Sequence, residues 1–406
     1  MQYGLLGRKL SHSYSPQIHK YLGDYSYNLF EIEPEALGTF LQRDDIFGLN
    51  VTMPYKKAVI PYCHQLTESA HKLGAVNTLI RCGNQFIGHN SDYFGFQSLV
   101  KRSCLLVADK KVLILGSGGA SATAACVMQE LGARVVVISR TGENNYTNLY
   151  LHADASVIVN TTPVGMYPET GFSAVDLSVF PSLEGVLDVI YNPSQTKFLM
   201  DAAERGLIAE NGLWMLVAQA KESAEWFTGT QIDDAVIEQI YRKLRMETEN
   251  TVLIGMPGSG KSTVGKLLSN MLGKRFLDTD SIIEEEAGKS IPEIFSLYGE
   301  DHFRALESEI IARIGKESGC VIATGGGCVT QPHNKAQLRQ NGTIYWLKRN
   351  LDLLSTEGRP LSQIISIEEM YNARELLYQT FADCIIDNNH SPQKAAEAIF
   401  DLEVNR

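Results

Sequence analysis

Two glycine-rich loops in this 406-residue chain have the residue types and spacing to hold phosphates. The segment GMPGSGKST (255–263) fulfils G-x-x-x-x-G-K-[ST]. In such a loop the backbone N–H groups of Gly258, Ser259, Gly260 and Thr263 cradle the phosphates of a nucleoside triphosphate. Lys261 reaches the β- and γ-phosphates, and the Ser262 hydroxyl binds Mg²⁺. The other loop, GSGGA (116–120), lies in KKVLILGSGGASATAACVMQELGARVVVISRT. Its pattern suits a dinucleotide. Gly116 allows the tight turn, Gly118 lets a pyrophosphate approach the backbone, and Gly119 and Ala120 open a helix whose N–H groups face the phosphates. Ser121 stands where a third glycine is usual, so Gly119 with Ala122 is expected to permit close packing. The next strand ends in Ser139, Arg140 and Thr141 rather than in the acid that binds a ribose 2′-hydroxyl. Arg140 suits stacking on the adenine or clamping a 2′-phosphate, which favours NADP over NAD, although Glu143 follows closely.

Both loops need a strand before them and a helix after them. KKVLILG (110–116), ARVVVIS (133–139), SVIVN (156–160), EGVLDVIY (184–191), NTVLIG (250–255), CVIAT (320–324) and GTIYWL (342–347) read as buried strands. Helical stretches separate them, which predicts parallel sheets with right-handed crossovers. The two loops differ in kind, so the chain is not an internal duplication. A charged, polar stretch, QIYRKLRMETEN (239–250), precedes a fresh strand and places a junction near Glu247. About a hundred residues precede the first loop and must form another unit. A helical tail (213–245) is expected to return to it.

Composition narrows the partners. The formal net charge of −11 disfavours nucleic acid and anionic membranes, so anionic substrates must be drawn in by local cations. No apolar run reaches the ~18 residues of a membrane span, and the N-terminus lacks a signal-peptide pattern. Seven scattered cysteines with no CxxC pair read as free thiols in a reducing cytoplasm.

The first 240 residues resemble the shikimate dehydrogenase family through ordered motifs: SHSYSPQIHK (11–20), GLNVTMPYK (48–56), AVNT (75–78), GHNSDYFGF (88–96), NTTPVGM (160–166), DVIYNPSQT (188–196) and GLWMLVAQA (212–220). Ser91 replaces the usual threonine of the fourth. The resemblance implies that Lys56 and Asp92 form the acid–base pair of a ketone reduction. It implies that Ser13 and Ser15 bind the substrate carboxylate, and that Thr52, Asn77 and Gln219 bind the ring hydroxyls with Tyr191 nearby. Gly212 joins the cofactor-binding set. Hydroxyl and amide groups suit a polyhydroxylated ring, because a missing hydroxyl leaves buried partners unpaired.

Residues 250–400 resemble shikimate kinases. FLDTDSIIE (276–284) carries Asp278 and Asp280 at the end of a strand, where alternation directs both carboxylates to one side. GEDHFRALE (299–307), ATGGGC (323–328), EGRPL (357–361) and RELLY (374–378) follow in order. By this resemblance Asp278 orders Mg²⁺, Asp280 accepts a hydrogen bond from the attacking hydroxyl, and Arg304 and Arg374 hold the shikimate carboxylate. Gly326 lets substrate near the backbone, and Arg359 closes over the phosphates. The segment from Leu351 to Gly358 is short for the family's lid.

The expected architecture is α/β throughout. A shikimate-binding α/β domain (1–97 and 213–246) is interrupted by a Rossmann-type NADP-binding domain (98–212), and a P-loop kinase domain with a parallel sheet (248–406) follows. The implied function is reduction of 3-dehydroshikimate with NADPH, then phosphorylation of shikimate with ATP and Mg²⁺. The partners are these small molecules, with no nucleic acid, membrane or protein partner expected. The alternative is a dehydrogenase, possibly quinate-using, joined to a kinase-like part that only senses nucleotide.

Overall fold

The computed structural model describes residues 1–10, 13–354 and 366–406. Three sheets organise them. The first contains β1 (Gln2–Gly7), β2 (Tyr27–Glu31), β3 (Ile46–Val51), β4 (Cys63–Leu66), β5 (Thr78–Cys82) and β6 (Gln85–His89), in the order β2-β1-β3-β5-β6-β4. The second contains β7 (Lys111–Leu115), β8 (Arg134–Ile138), β9 (Val157–Asn160), β10 (Gly185–Asp188) and β11 (Ile208–Glu210), ordered β11-β10-β9-β7-β8. The third contains β12 (Asn250–Ile254), β13 (Arg275–Asp278), β14 (Cys320–Ala323), β15 (Gly342–Lys348) and β16 (Cys384–Asp387), ordered β13-β14-β12-β15-β16.

The second and third sheets are wholly parallel, as alternating strands and helices require. The first sheet departs from that expectation. β5 runs antiparallel to both β3 and β6. Only Gly83 and Asn84 separate β5 from β6, and so short a connection can join only antiparallel strands.

Burial follows the strand alternation. In β12, Val252 and Ile254 pack on one face with Ile322, Ile344 and Trp346. Leu253 packs on the other with Val321, Tyr345 and Leu347. A strand covered on both faces reads as a continuous apolar run, which is why NTVLI stands out. The second sheet has a similar core of Val112, Ile114, Val127, Val157, Val159 and Leu187. In the first, Leu6, Phe40, Leu49, Val51, Tyr55 and Leu79 meet. Burying each such side chain stabilises the fold by roughly 1.5–3 kcal/mol.

The contacts divide the chain into two compact units. One holds Met1–Val164, Ser173–Tyr191 and Asp201–Tyr241; the other holds Gly165–Phe172, Asn192–Met200 and Arg242–Arg406. No described helix is long and apolar enough to cross a membrane.

In both parallel sheets the strand order reverses where a glycine loop leaves the sheet. β7 lies between β8 and β9, and β12 lies between β14 and β15. Ligands of open α/β sheets bind at such switch points, beyond the carboxyl ends of the strands.

Candidate active sites

In the first unit a cleft of about 270 Å³ gathers Ser13, Ser15, Thr52, Lys56, Asn77, Asp92, Tyr191 and Gln219, with Ala120 and Gly212 at its edge. These groups come from distant parts of the chain. Lys56 sits in the turns after β3, and Asp92 begins the helix Asp92–Ser103. Lys56 Nζ donates to Asp92 Oδ2 at 2.6 Å, with 30% and 17% of the two side chains exposed. The Asn90 carboxamide accepts from the Asp92 N–H at 3.1 Å and fixes the helix start. Burial pushes the Tyr191 phenol up, with a smaller contribution from Tyr14, whose ring lies 5.5 Å away.

Behind this cleft lies a buried polar network. Asn77 Oδ1 accepts from the Ser91 N–H at 2.8 Å, and Asn77 Nδ2 donates to Ser91 Oγ at 3.1 Å. Ser91 Oγ donates to Gln219 Oε1 at 3.3 Å. Asn50 Nδ2 donates to Ser223 Oγ at 2.7 Å, and Ser223 Oγ lies 2.9 Å from Ser91 Oγ. Satisfied networks of this kind hold side chains in one orientation. Neither Asn50 nor Ser223 is singled out by the sequence motifs. Asn50 lies inside the motif GLNVTMPYK, and strand alternation puts it on the same face as Thr52.

The first glycine loop follows β7. Gly116 has φ +113°, a conformation that side chains rarely adopt. A Cβ at Gly118 or Gly119 would meet nothing within 4 Å, so the loop is open to a ligand there. That corrects the expectation that Gly119 and Ala122 serve close packing, since Ala122 is exposed. Ser121 instead ties the turn, donating from Oγ to Gly116 O at 2.7 Å. Beyond β8, Ser139 N–H donates to Asn144 O at 3.1 Å, and Arg140 and Thr141 are exposed. Leu115 pairs with Ile138, so Gly116 and Ser139 leave adjacent strands side by side.

In the second unit a cleft of about 590 Å³ is lined by Gly258, Gly260, Lys261, Ser262, Thr263, Asp278, Asp280, Arg304, Gly326 and Arg374. Ser259 is the exception among the expected loop residues. It is buried, and its carbonyl accepts from Asn388 Nδ2 at 2.5 Å, so it anchors the loop from beneath. Lys261 Nζ donates to Gly255 O at 2.8 Å and Met256 O at 3.0 Å. Ser262 Oγ donates to Asp278 Oδ2 at 2.6 Å. Arg359 lies outside the described residues.

Asp278 and Asp280 share the cleft for a reason other than strand alternation. β13 ends at Asp278, which caps the helix Thr279–Ala287, its Oδ1 accepting from the N–H of Asp280 at 3.1 Å. Asp280 therefore projects from a first helical turn. Its Oδ1 is sealed from solvent and has no hydrogen-bond partner among the described residues. Burial first, then the charges of Asp278 and Glu307, push its carboxyl up to about 6.

Arg304 is held in the helix Ile291–Ile314, which breaks at Gly299. Its NH1 donates to Glu307 Oε2 at 2.6 Å, and its Nε and NH2 donate to Glu300 Oε1 at 3.3 and 3.1 Å. Glu307 is wholly buried, whereas 47% of the Glu300 side chain is exposed. Burial opposes the charge of Arg304, but the two glutamates outweigh it and hold its pKa above the ordinary value. The glutamates are legible in GEDHFRALE, because spacings of three and four put them on the face of Arg304.

Gly325–Gly327 form the floor. A Cβ at Gly327 would overlap the Arg304 guanidinium, one at Gly325 would overlap Glu307, and one at Gly326 would lie 2.6 Å from Pro257. The small residues there admit the protein's own groups rather than substrate alone. Gly326 O accepts from Tyr378 Oη at 2.5 Å and, at 3.4 Å, from Arg374.

Comparison with known proteins matches both halves. Residues 257–403 fit the family model for shikimate kinase, and residues 5–79 fit that for the shikimate dehydrogenase substrate binding domain. A shikimate dehydrogenase (NADP(+)) of Clostridium beijerinckii is 32% identical over 259 residues, spanning 59% of this chain and 96% of that protein. The crystal structure of shikimate dehydrogenase 1 from Peptoclostridium difficile is 38% identical with TM-score 0.56, covering 61% of this chain and 98% of that one. A chorismate mutase/shikimate 5-dehydrogenase fusion protein from Clostridium acetobutylicum is 36% identical with TM-score 0.57, covering 60% and 96%. With the motifs, sheets and clefts above, these matches make the chain a member of the shikimate dehydrogenase family that also carries a shikimate kinase domain.

Proposed function

We propose that the chain reduces 3-dehydroshikimate to shikimate with NADPH and then transfers the γ-phosphoryl group of ATP to the shikimate 3-hydroxyl. The observation that carries this reading is that one chain gathers the expected reacting groups into two clefts with no lining residue in common.

In the first cleft, Lys56 Nζ gives a proton to the carbonyl oxygen as the carbonyl carbon is reduced, and Asp92 orients the ammonium. Partial exposure of Lys56 lets solvent restore the proton. Ser13 and Ser15 take the substrate carboxylate; Thr52, Asn77 and Gln219 take the ring hydroxyls. NADPH supplies the hydride when bound. The open loop at Gly118 and Gly119 and the exposed Arg140 fit its pyrophosphate and 2′-phosphate.

In the second cleft, the shikimate 3-hydroxyl attacks the γ-phosphorus, the bond to the β-phosphate oxygen breaks, and Asp280 accepts the hydroxyl proton. Lys261 and the loop N–H groups stabilise the charge in transfer. Arg304 offers its Nε and NH2 edge to the carboxylate, displacing exposed Glu300 while buried Glu307 keeps its hold on NH1. Arg374 approaches from the helix Ile367–Phe381. Mg²⁺ would be held by Ser262 and Asp278, a hydroxyl and a carboxylate of the sort it takes beside phosphate oxygens and water.

Free thiols at all seven cysteines, and reactions fed by NADPH and ATP, support a cytoplasmic setting. The test is one coupled assay with 3-dehydroshikimate, NADPH and MgATP. Shikimate 3-phosphate is the expected product, and accumulation of shikimate alone would sink the kinase half. Replacing shikimate with quinate in the reverse, NADP-linked reaction tests the ring specificity.

A further inference from the structure

We infer that Arg349 is a second phosphate-binding cation of the kinase site, supplied from outside the glycine-loop motif. The inference rests on reading the second cleft as a kinase site. Topology brings Arg349 there. β12 and β15 pair along their lengths up to Ile254 and Trp346, so the chain leaving β15 runs beside the loop leaving β12. Arg349 is the first residue beyond β15 and lines the cleft. Its NH1 lies 3.6 Å from the position of a Cβ on Gly260, the residue preceding Lys261. The neighbouring Asn388 bonds to Lys348 O through its N–H at 2.8 Å and to Ser259 O through its side chain, so the end of the sheet is fastened to the loop.

The described residues leave the charge of Arg349 unanswered. Its Nε is sealed from solvent and has no hydrogen-bond partner among them. Among the described residues no carboxylate lies within ion-pair distance of it. Two other cations nearby are engaged with carboxylates, and Lys261 and Arg374 bond to backbone carbonyls. Arg304 holds Glu300 and Glu307, and Lys348 holds Glu375 at 3.1 Å. Arg349 is half-buried, and sealing even one N–H of a guanidinium from water without a partner is unfavourable unless an anion completes the site. The same cleft contains Asp278, Asp280, Glu284 and Glu307, which repel a triphosphate. A planar guanidinium against the phosphate-cradling loop offsets that repulsion and matches phosphate oxygens two at a time. Arg349 therefore faces the polyphosphate, and the acceptor's carboxylate belongs to Arg304 and Arg374.

The experiment is calorimetry of ADP and ATP binding to the full chain, beside shikimate kinetics, for Arg349→Met and Arg349→Lys. Arg349→Met should weaken both nucleotides about 10- to 100-fold, the range of a lost charge-assisted hydrogen bond, and leave the Michaelis constant for shikimate unchanged. Arg349→Lys should recover part of the loss. Unchanged ADP affinity in Arg349→Met would overturn the assignment. So would a lysine variant no better than methionine, since the contact would then not be with charge. An equal rise in the shikimate constant would make Arg349 structural. Turnover of the unmutated chain separates the two readings: without shikimate 3-phosphate the kinase reading fails, whatever the ADP titrations give.

Discussion

The two clefts meet related substrates with opposite chemistry in their walls. The first presents hydroxyls and amides, with Lys56–Asp92 as its ion pair. The second presents Lys261, Arg304, Arg349 and Arg374 against Asp278, Asp280, Glu284 and Glu307. Reducing a ketone creates a small, local charge that one proton donor can answer. Moving a phosphoryl group requires charge to be balanced over several oxygens at once. On the proposed roles, selectivity in the first cleft would come from hydrogen bonds that must all be satisfied, and in the second from fixed charges.

That contrast can be broken by experiment. The largest effect is expected at the proposed acid–base pair. Lys56→Ala should slow reduction of 3-dehydroshikimate by about 10²–10⁴-fold, the usual contribution of such catalysis, and leave phosphorylation of added shikimate unchanged. Near-normal reduction would remove Lys56 from the mechanism.

The charged cleft should respond to loss of one partner in a pair. Arg304→Ala should weaken shikimate by roughly 2–5 kcal/mol while calorimetry finds ATP binding nearly intact. Arg304→Lys should rescue only partly, because an ammonium lacks the two-pronged geometry. Equal damage to both ligands would show a role in folding instead.

Asp280 sharpens the contrast through pH. Its folded pKa stands near 6, above the carboxylate value of 3.8. A group of this kind binds its proton more tightly when folded. Its stabilising contribution is complete below its unfolded pKa and is lost as pH rises through about 6. At neutral pH the ionised side chain is then a net cost of up to about 3 kcal/mol, at about 1.4 kcal/mol per unit. Asp280→Asn should abolish phosphorylation yet raise the melting temperature at pH 7.5, and the gain should vanish near pH 4. Wild-type phosphorylation should fall as pH drops through about 6. Near-normal phosphorylation by Asp280→Asn would exclude Asp280 as the proton acceptor.

The smallest effect is expected at exposed Arg140, the proposed cofactor contact. Arg140→Ala should weaken NADPH by about 1.5–3 kcal/mol and leave NADH unaffected. Equal losses would mean that the 2′-phosphate is held elsewhere.

Local features of the fold are legible in the sequence, because each glycine loop encodes its own backbone path and each parallel strand its own burial. Asp278 and Asp280 show the limit of that legibility. Alternation puts them on one side of a strand, but the first carboxylate caps a helix and stops the strand. The Gly119–Ala122 packing fails similarly, since Ser121 stabilises the turn through a hydrogen bond that spacing does not reveal. Glu300 and Glu307 follow from helical periodicity around Arg304. Ser223 and Arg349 follow from no local pattern. Each sits beside a neighbour distant in sequence, Ser223 on the helix Leu213–Thr228 beside Asn50 of β3 and Arg349 beside the loop after β12, and only the folded register brings them together.

The glycine floor of the second cleft also bears on inhibition and escape. At Gly325, Gly326 and Gly327 even a methyl group would strike Glu307, Pro257 or Arg304. Resistance to a competitive drug commonly begins with a side chain that grows into the drug's space. Along this floor such growth would first displace the protein's own Glu307, Pro257 or Arg304. A compound that rests on the backbone of these three residues would press on ground that selection has little freedom to reshape.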